Sequence, residues 1–195
     1  MNMKSKAVFL DRDGVINPLV YNPNTSEYES PHYPEDFSIY TYVIKSLRLI
    51  KEHGYKIIIV SNQPSYAKGK TSLENIKAIE KLLADFSTEN GELIDEYYYC
   101  YHHPDGIVPE YAISCQCRKP NTLFLEKAVE KFDLNKEQCC FIGDQDADIM
   151  CGKTMGFYTI KINNKHSMYK SGAVTPDDFA SDLYDAALKI AKLHY

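Results

Sequence analysis

Five short apolar runs alternate with segments of helical spacing, and this alternation is what most limits the fold. The runs are KAVFLD (6–11), YKIIIVSN (55–62), IDEYYYCY (94–101), QCCFIGD (138–144) and FYTIKIN (157–163). Each is too short for a helix and rich in β-branched or aromatic residues. Between them, 39–53, 71–90, 121–132 and 146–156 carry apolar residues at helical spacing, and about 177–193 reads as a last helix. Gly54 is a C-cap candidate for the first helix. Thr71 or Ser72 is the N-cap candidate for the second, and Thr71 to Glu74 has capping-box spacing. Strands that read as continuous apolar runs and alternate with helices imply a doubly wound, mostly parallel five-stranded α/β sheet covered on both faces. At 195 residues the chain suits a single domain, 1–195, with one core.

The net charge of -5 and the absence of a basic run argue against nucleic-acid binding. No apolar stretch approaches the roughly 18 residues of a membrane helix. Charge interrupts the N-terminal apolar run too early for a signal peptide. The expectation is a cytoplasmic protein whose partner is a small molecule, a monomer or a weak homo-oligomer. Its six cysteines are then thiols or metal ligands rather than disulfides.

In open α/β sheets, ligands bind beyond the carboxyl ends of the strands. The runs end there in polar clusters: Asp11-Arg12-Asp13-Gly14, Ser61-Asn62-Gln63 and Gly143-Asp144-Gln145-Asp146. Arg118-Lys119-Pro120 precedes a helix start on the same edge. Phosphoryl transfer needs such a set. Asp11 and Asp144 suit a hard cation such as Mg2+, and a carboxylate can act as nucleophile towards phosphorus. A second acid, Asp13, can serve as general acid and base. Ser61 and Lys119 can hold phosphate oxygens as charge redistributes. The loop from 17 to 38 is long, which points to a role at the active site.

Asp11-x-Asp13-Gly14, Ser61, Lys119 and Gly143-Asp144 with Asp148 occur in the order found in the haloacid-dehalogenase superfamily of phosphatases, which the chain resembles over about residues 6–163. The resemblance implies an aspartyl-phosphate on Asp11, acid-base work by Asp13, and Mg2+ on Asp11, the Asp13 carbonyl and Asp144, with Asp148 in support. A catalytically silent binding module on the same fold is the non-enzyme alternative.

Within 100–118, Cys100-x-His102 and Cys115-x-Cys117 form two short-spaced pairs, a donor set suited to tetrahedral Zn2+. His103 is an alternative to His102. A metal would fold a loop with few apolar residues. Cys139, Cys140 and Cys151 read as packing residues. The segment through Arg118-Lys119-Pro120 resembles the branch that holds the D-glycero-D-manno-heptose 1,7-bisphosphate and histidinol-phosphate phosphatases. That likeness implies a structural zinc loop in place of a large cap domain. It also implies phosphate contacts from Arg118 and Lys119, and a site lined by Ser61, Asn62 and Gln63. The branch usually carries Ser-Gly-Ile-Ala-Arg-Gly after the Asn-Gln. This chain has Pro64-Ser65-Tyr66-Ala67-Lys68-Gly69, in which Lys68 keeps the charge without the planar fork. Tyr21 is the remnant of the branch's Tyr-Val-His/Lys pattern. The expected substrate is a phosphorylated sugar, best a heptose 1,7-bisphosphate, with histidinol phosphate or another small phosphomonoester as the alternative.

Overall fold

The apolar runs pair into one parallel sheet. A computed structural model describes residues 4–167 and 172–193. The strands of the main sheet are β1 (Lys6–Leu10), β4 (Tyr55–Asn62), β5 (Glu96–Cys100), β6 (Cys140–Gly143), β7 (Tyr158–Ile162) and β8 (Asp178–Ala180). Their order is β5-β4-β1-β6-β7-β8, and every pair is parallel. The chain starts in the middle, winds to one edge and then returns to fill the other. β1 therefore lies at the switch point, with β4 and β6 on its two sides.

Alternation along each strand sorts side chains to two cores. Val8, Leu10, Ile57, Ile59, Ile142 and Ile160 face α1 (Val43–Glu52), α2 (Leu73–Glu89) and α5 (Leu183–Ile190). Ala7, Phe9, Ile58, Val60 and Phe141 face Leu125 and Ala128 of α3 (Leu123–Phe132) and Cys151 of α4 (Asp146–Thr154). Burial on both faces is why these strands read as unbroken apolar runs rather than alternating ones.

The structure corrects two expectations and chooses between two N-cap candidates. Among the described residues the sheet has six strands, not five: Asp178–Ala180 forms β8, and the last helix starts only at Leu183. Three residues, of which only Ala180 is buried, are too few to show a period. The stretch from 17 to 38 is not irregular throughout. It folds into an antiparallel hairpin of β2 (Val20–Asn22) and β3 (Glu27–Glu29), followed by a 3-10 turn at Pro34–Asp36. Ser72 is the N-cap of α2, accepting from the Asn75 amide at 3.2 Å, while the Thr71 hydroxyl donates to the His32 carbonyl at 2.5 Å. Thr71 thus ties the hairpin's return to the body of the fold. Cys140 and Cys151 are buried in β6 and α4 as expected, and Cys139 is buried just ahead of β6. No helix among the described residues is long and apolar enough to cross a membrane.

Candidate active site

Register brings three strand ends together. Leu10 pairs with Ile59 and Ile142, so Asp11, Ser61 and Asp144 emerge side by side at the carboxyl edge. The Asp11 amide continues the ladder, donating to Ile142 at 3.0 Å. Lys119 arrives from the segment ahead of α3. The Asn62 side chain holds it there, its Oδ1 accepting from the Lys119 amide at 3.0 Å and its Nδ2 donating to the Lys119 carbonyl at 3.1 Å. The Lys119–Pro120 bond that follows is cis. Asn62 therefore fixes the backbone of Lys119, and it lines the same cavity as Asp11 and Lys119.

The Lys119 ammonium is buried among acceptors: Asp11 Oδ1 at 2.8 Å, Asp148 Oδ1 at 2.7 Å and the Val60 carbonyl at 2.7 Å. Burial alone would lower its pKa, but Asp11 and Asp148 hold it well above the usual lysine value. The Ser61 hydroxyl donates to Asp11 Oδ1 at 2.7 Å. Asp148 is anchored at the start of α4, where its Oδ2 accepts from the Gln145 amide at 3.0 Å. A side chain at Gly143 would overlap Asp148, so β6 must end in glycine for Asp148 to approach.

Asp11, Asp144 and Asp148 each offer an oxygen within 4.8 Å of the others. Lys119 faces these three buried carboxyls. Burial, against the pull of Lys119, raises the Asp11 carboxyl from 3.8 to about 6. Burial and the neighbouring Asp11 and Asp148 push Asp144 far above the carboxylate range. Neither Asp144 oxygen has a hydrogen-bond partner among the described residues. Two unpaired buried oxygens carry a large desolvation cost. An all-oxygen donor set of this kind fits a hard divalent cation. Gly14, at φ +84, closes the same corner: a Cβ there would overlap the Asp144 carboxylate.

Asp13 has different surroundings. Its Oδ1 accepts from Arg12 Nη2 and Asn17 Nδ2, both at 2.9 Å, and its Oδ2 from Gln63 Nε2 at 2.6 Å and the Ser30 hydroxyl at 2.8 Å. Burial would raise this carboxyl, but Arg12 and the bonds from Asn17 and Gln63 bring it below its ordinary value. Adjacent acids on one strand end are thus driven apart in proton affinity by their environments, a pattern suited to separate roles.

Arg12, Asn17 and Ser30 were not among the candidates from sequence. Arg12 is wholly buried and bridges Asp13 to Gln63 Oε1 at 2.8 Å; an arginine between two aspartates at a strand end was the available signal. Ser30 lies 17 positions from Asp13 and reaches it only because the hairpin folds back. Nothing in the linear pattern marks it.

Asp11, Asp13, Ser30, Asn62, Lys68, Arg118, Lys119 and Asp148 line one cavity of about 130 Å³. Lys68 and Arg118 thus share a space with Asp11, Asp13 and Asp148. Asp146 does not join them. It accepts instead from Lys161 and from the amides of Gly172 and Ala173. Tyr21 is also outside. It is half exposed and packs edge-on against Tyr28.

The four candidate donors of the cysteine loop meet. Cys100, Cys115 and Cys117 sulfurs lie 3.2 to 3.5 Å apart, and His102 Nδ1 is 3.5 Å from Cys117 and 3.9 Å from Cys100. Three sulfurs and one nitrogen held this closely are compatible with tetrahedral zinc. His102, not His103, is the imidazole grouped with the three sulfurs; His103 Nδ1 instead accepts from the Asp105 amide at 3.1 Å. Arg118 Nη1 donates to the His102 carbonyl at 3.3 Å, which joins this cluster to the reaction cavity.

A family model described as HAD-hydrolase-like matches residues 116–186. A D-glycero-alpha-D-manno-heptose-1,7-bisphosphate 7-phosphatase of Photorhabdus laumondii is 36% identical over 153 residues, 78% of this chain and 79% of its own. A D-glycero-D-manno-heptose-1,7-bisphosphate 7-phosphatase of Chlorobaculum tepidum is 30% identical over 190 residues, 93% of this chain and 92% of its own. Among solved structures, D,D-heptose 1,7-bisphosphate phosphatase from B. bronchiseptica, complexed with magnesium and phosphate, superposes with a TM-score of 0.75 at 19% identity, covering 95% of this chain and 97% of its own. At that identity the likeness speaks for the fold.

Proposed function

Because the chain belongs to the haloacid-dehalogenase family of phosphatases, in its heptose-bisphosphate branch, we propose that it removes the 7-phosphate of D-glycero-D-manno-heptose 1,7-bisphosphate and leaves the heptose 1-phosphate. The observation that carries the reading is identity of 30% running over 93% of the chain with a relative of that activity. The convergence of Asp11, Ser61, Lys119 and Asp144 supports it.

In this reading Asp11, the Asp13 carbonyl and Asp144 hold Mg2+, and Asp148 supports the site by holding Lys119. When bound, the cation neutralises charge on the phosphate and the carboxylates. Lys119 and Ser61 orient Asp11 and face the oxygens of the transferring phosphoryl group. An Asp11 oxygen forms a bond to phosphorus as the ester P–O bond breaks, and Asp13 gives the leaving oxygen its proton. Asp13, again ionised, takes a proton from water. The water oxygen bonds to phosphorus, the Asp11 acyl phosphate opens, and inorganic phosphate leaves. The donors around Asp13 make the carboxylate its resting form, which suits the second half of this cycle.

Arg118 and Lys68, which line the same cavity, meet the remainder of the bisphosphate. Gln63 orders Asp13, and Asn62 orders Lys119. Cys100, His102, Cys115 and Cys117 hold zinc in a structural role, fixing the segment that ends in Arg118 and Lys119.

The test is phosphate release, with Mg2+, from both anomers of heptose 1,7-bisphosphate, histidinol phosphate and fructose 1,6-bisphosphate. A kcat/KM for a heptose anomer well above the others supports the reading. A higher value for histidinol phosphate overturns the substrate. No turnover of any ester, with Asp11→Asn behaving like the parent, overturns the enzyme.

A further inference from the structure

The hairpin between β1 and α1 reaches into the reaction cavity at one residue, Ser30. Its hydroxyl donates to Asp13 Oδ2 at 2.8 Å, and Ser30 is itself part of the cavity wall. The remaining donors to Asp13, Arg12, Asn17 and Gln63, come from β1's continuation and from β4. Ser30 alone comes from the hairpin. The residue before it is heavily tied. Glu29 accepts from Lys70 Nζ at 2.6 Å and from the Thr25 hydroxyl at 2.6 Å, and His32 Nε2 lies 3.2 Å from its other oxygen. Lys70 follows Gly69, at the end of the turn that carries Lys68. On the other side, Tyr28 stacks on His166 with ring centroids 3.6 Å apart. Residues 28 to 30 are thus held from both flanks, and Ser30 is delivered to Asp13 in a fixed place.

We infer that Ser30 is a positioning residue for Asp13: held by the Glu29–Lys70 pair, it aims the Asp13 carboxyl at the leaving oxygen of the substrate. The inference rests on the proposed acid-base role of Asp13. Gln63 Nε2 shares Oδ2 with Ser30. Of the four residues that donate to Asp13, Ser30 is the one in the cavity wall, so it supplies the restraint on Oδ2 from the cavity itself. Misdirection of a proton donor by a fraction of a bond length lowers turnover without altering affinity. Ser30 makes no claim on the substrate phosphate, which Lys119 and Ser61 serve.

The experiment compares Ser30→Ala, Ser30→Thr and Asp13→Asn on two esters, heptose 1,7-bisphosphate and p-nitrophenyl phosphate. The sugar leaves as a strongly basic alkoxide and needs a proton. The nitrophenolate leaves without one. Loss of one hydrogen bond to a charged group predicts a fall of roughly tenfold in kcat/KM on the sugar for Ser30→Ala, with KM steady. On the aryl ester kcat/KM reports only the step that needs no proton, and stays within about twofold. Ser30→Thr, which keeps the hydroxyl, restores most of the sugar rate. Equal losses on both esters, a change confined to KM, or no rescue by threonine overturns the positioning role. Asp13→Asn separates the two levels. If it loses sugar turnover while Ser30→Ala does not, only the inference about Ser30 fails. If it keeps sugar turnover, the role of Asp13 fails and this inference with it.

Discussion

Removing the divalent cation turns the acid cluster against the fold, and the size of the effect follows from Asp11. Its carboxyl is raised from 3.8 to about 6, first by burial and against the pull of Lys119. Between these values the folded chain binds more protons than the unfolded one, so stability falls as pH rises through the window of about 4 to 6. A shift of this size is worth about 3 kcal/mol above the window. Asp144, raised more strongly by burial and its acidic neighbours, adds in the same direction. Asp13 is lowered, so its stability is present above the ordinary carboxyl range and is lost only at more acid pH. The assay is urea unfolding from pH 4 to 8, on protein dialysed free of Mg2+ and on the same protein with Mg2+ added back. The metal-free curve should decline from pH 4 to 7. Added Mg2+ at about a hundred times its Kd should restore about 2.7 kcal/mol, with the gain larger at pH 7 than at pH 4. Asp11→Asn, which cannot ionise, should be more stable than the parent at pH 7 without metal, by up to about 3 kcal/mol. A metal-free stability that rises from pH 4 to 7, or an Asp11→Asn variant that loses stability there, would refute the reasoning.

Lys119→Met should abolish turnover and also cost about 3 to 5 kcal/mol in unfolding without Mg2+, because Asp11 and Asp148 would lose the buried cation they share; intact stability in urea would contradict this. Cys115→Ser should lower bound zinc, measured by elemental analysis, and speed proteolysis within 100–118, since it removes one of the four donors that meet there. Gly143→Ala should destabilise by about 1 to 3 kcal/mol and reduce kcat, because its methyl would displace Asp148 from Lys119. A variant with parental Tm and kcat would show that α4 yields more than the packing suggests.

The sheet was readable because burial on both faces leaves runs such as YKIIIVSN nearly free of polar residues. The candidate site was readable because strand ends are where a parallel sheet binds its ligands: Asp11, Ser61 and Asp144 fall at those ends, and Lys119 precedes a helix start on the same edge. β8 was hidden by its length. The hairpin was hidden because VYN and EYE have neither continuous apolarity nor a strong alternation, and neither strand has a fully buried residue. The choice between His102 and His103 could not be made from spacing. It depends on ring direction: the fold turns His102 towards the sulfurs and His103 towards the Asp105 amide.

Taken alone, the order of residues determined the parallel architecture, the candidate carboxylates, the lysine and the two short-spaced pairs of zinc-type donors, because each of these depends on local pattern and on position relative to a strand or helix end. What only the tertiary structure decided are contacts between segments far apart in the chain. Asp11 and Asp13, two positions apart, acquire opposite shifts in proton affinity because one faces acids and burial while the other faces Arg12, Asn17, Gln63 and Ser30. That division, and the place of Ser30 in it, arises where β1, β4 and the hairpin meet, and no stretch of sequence contains it.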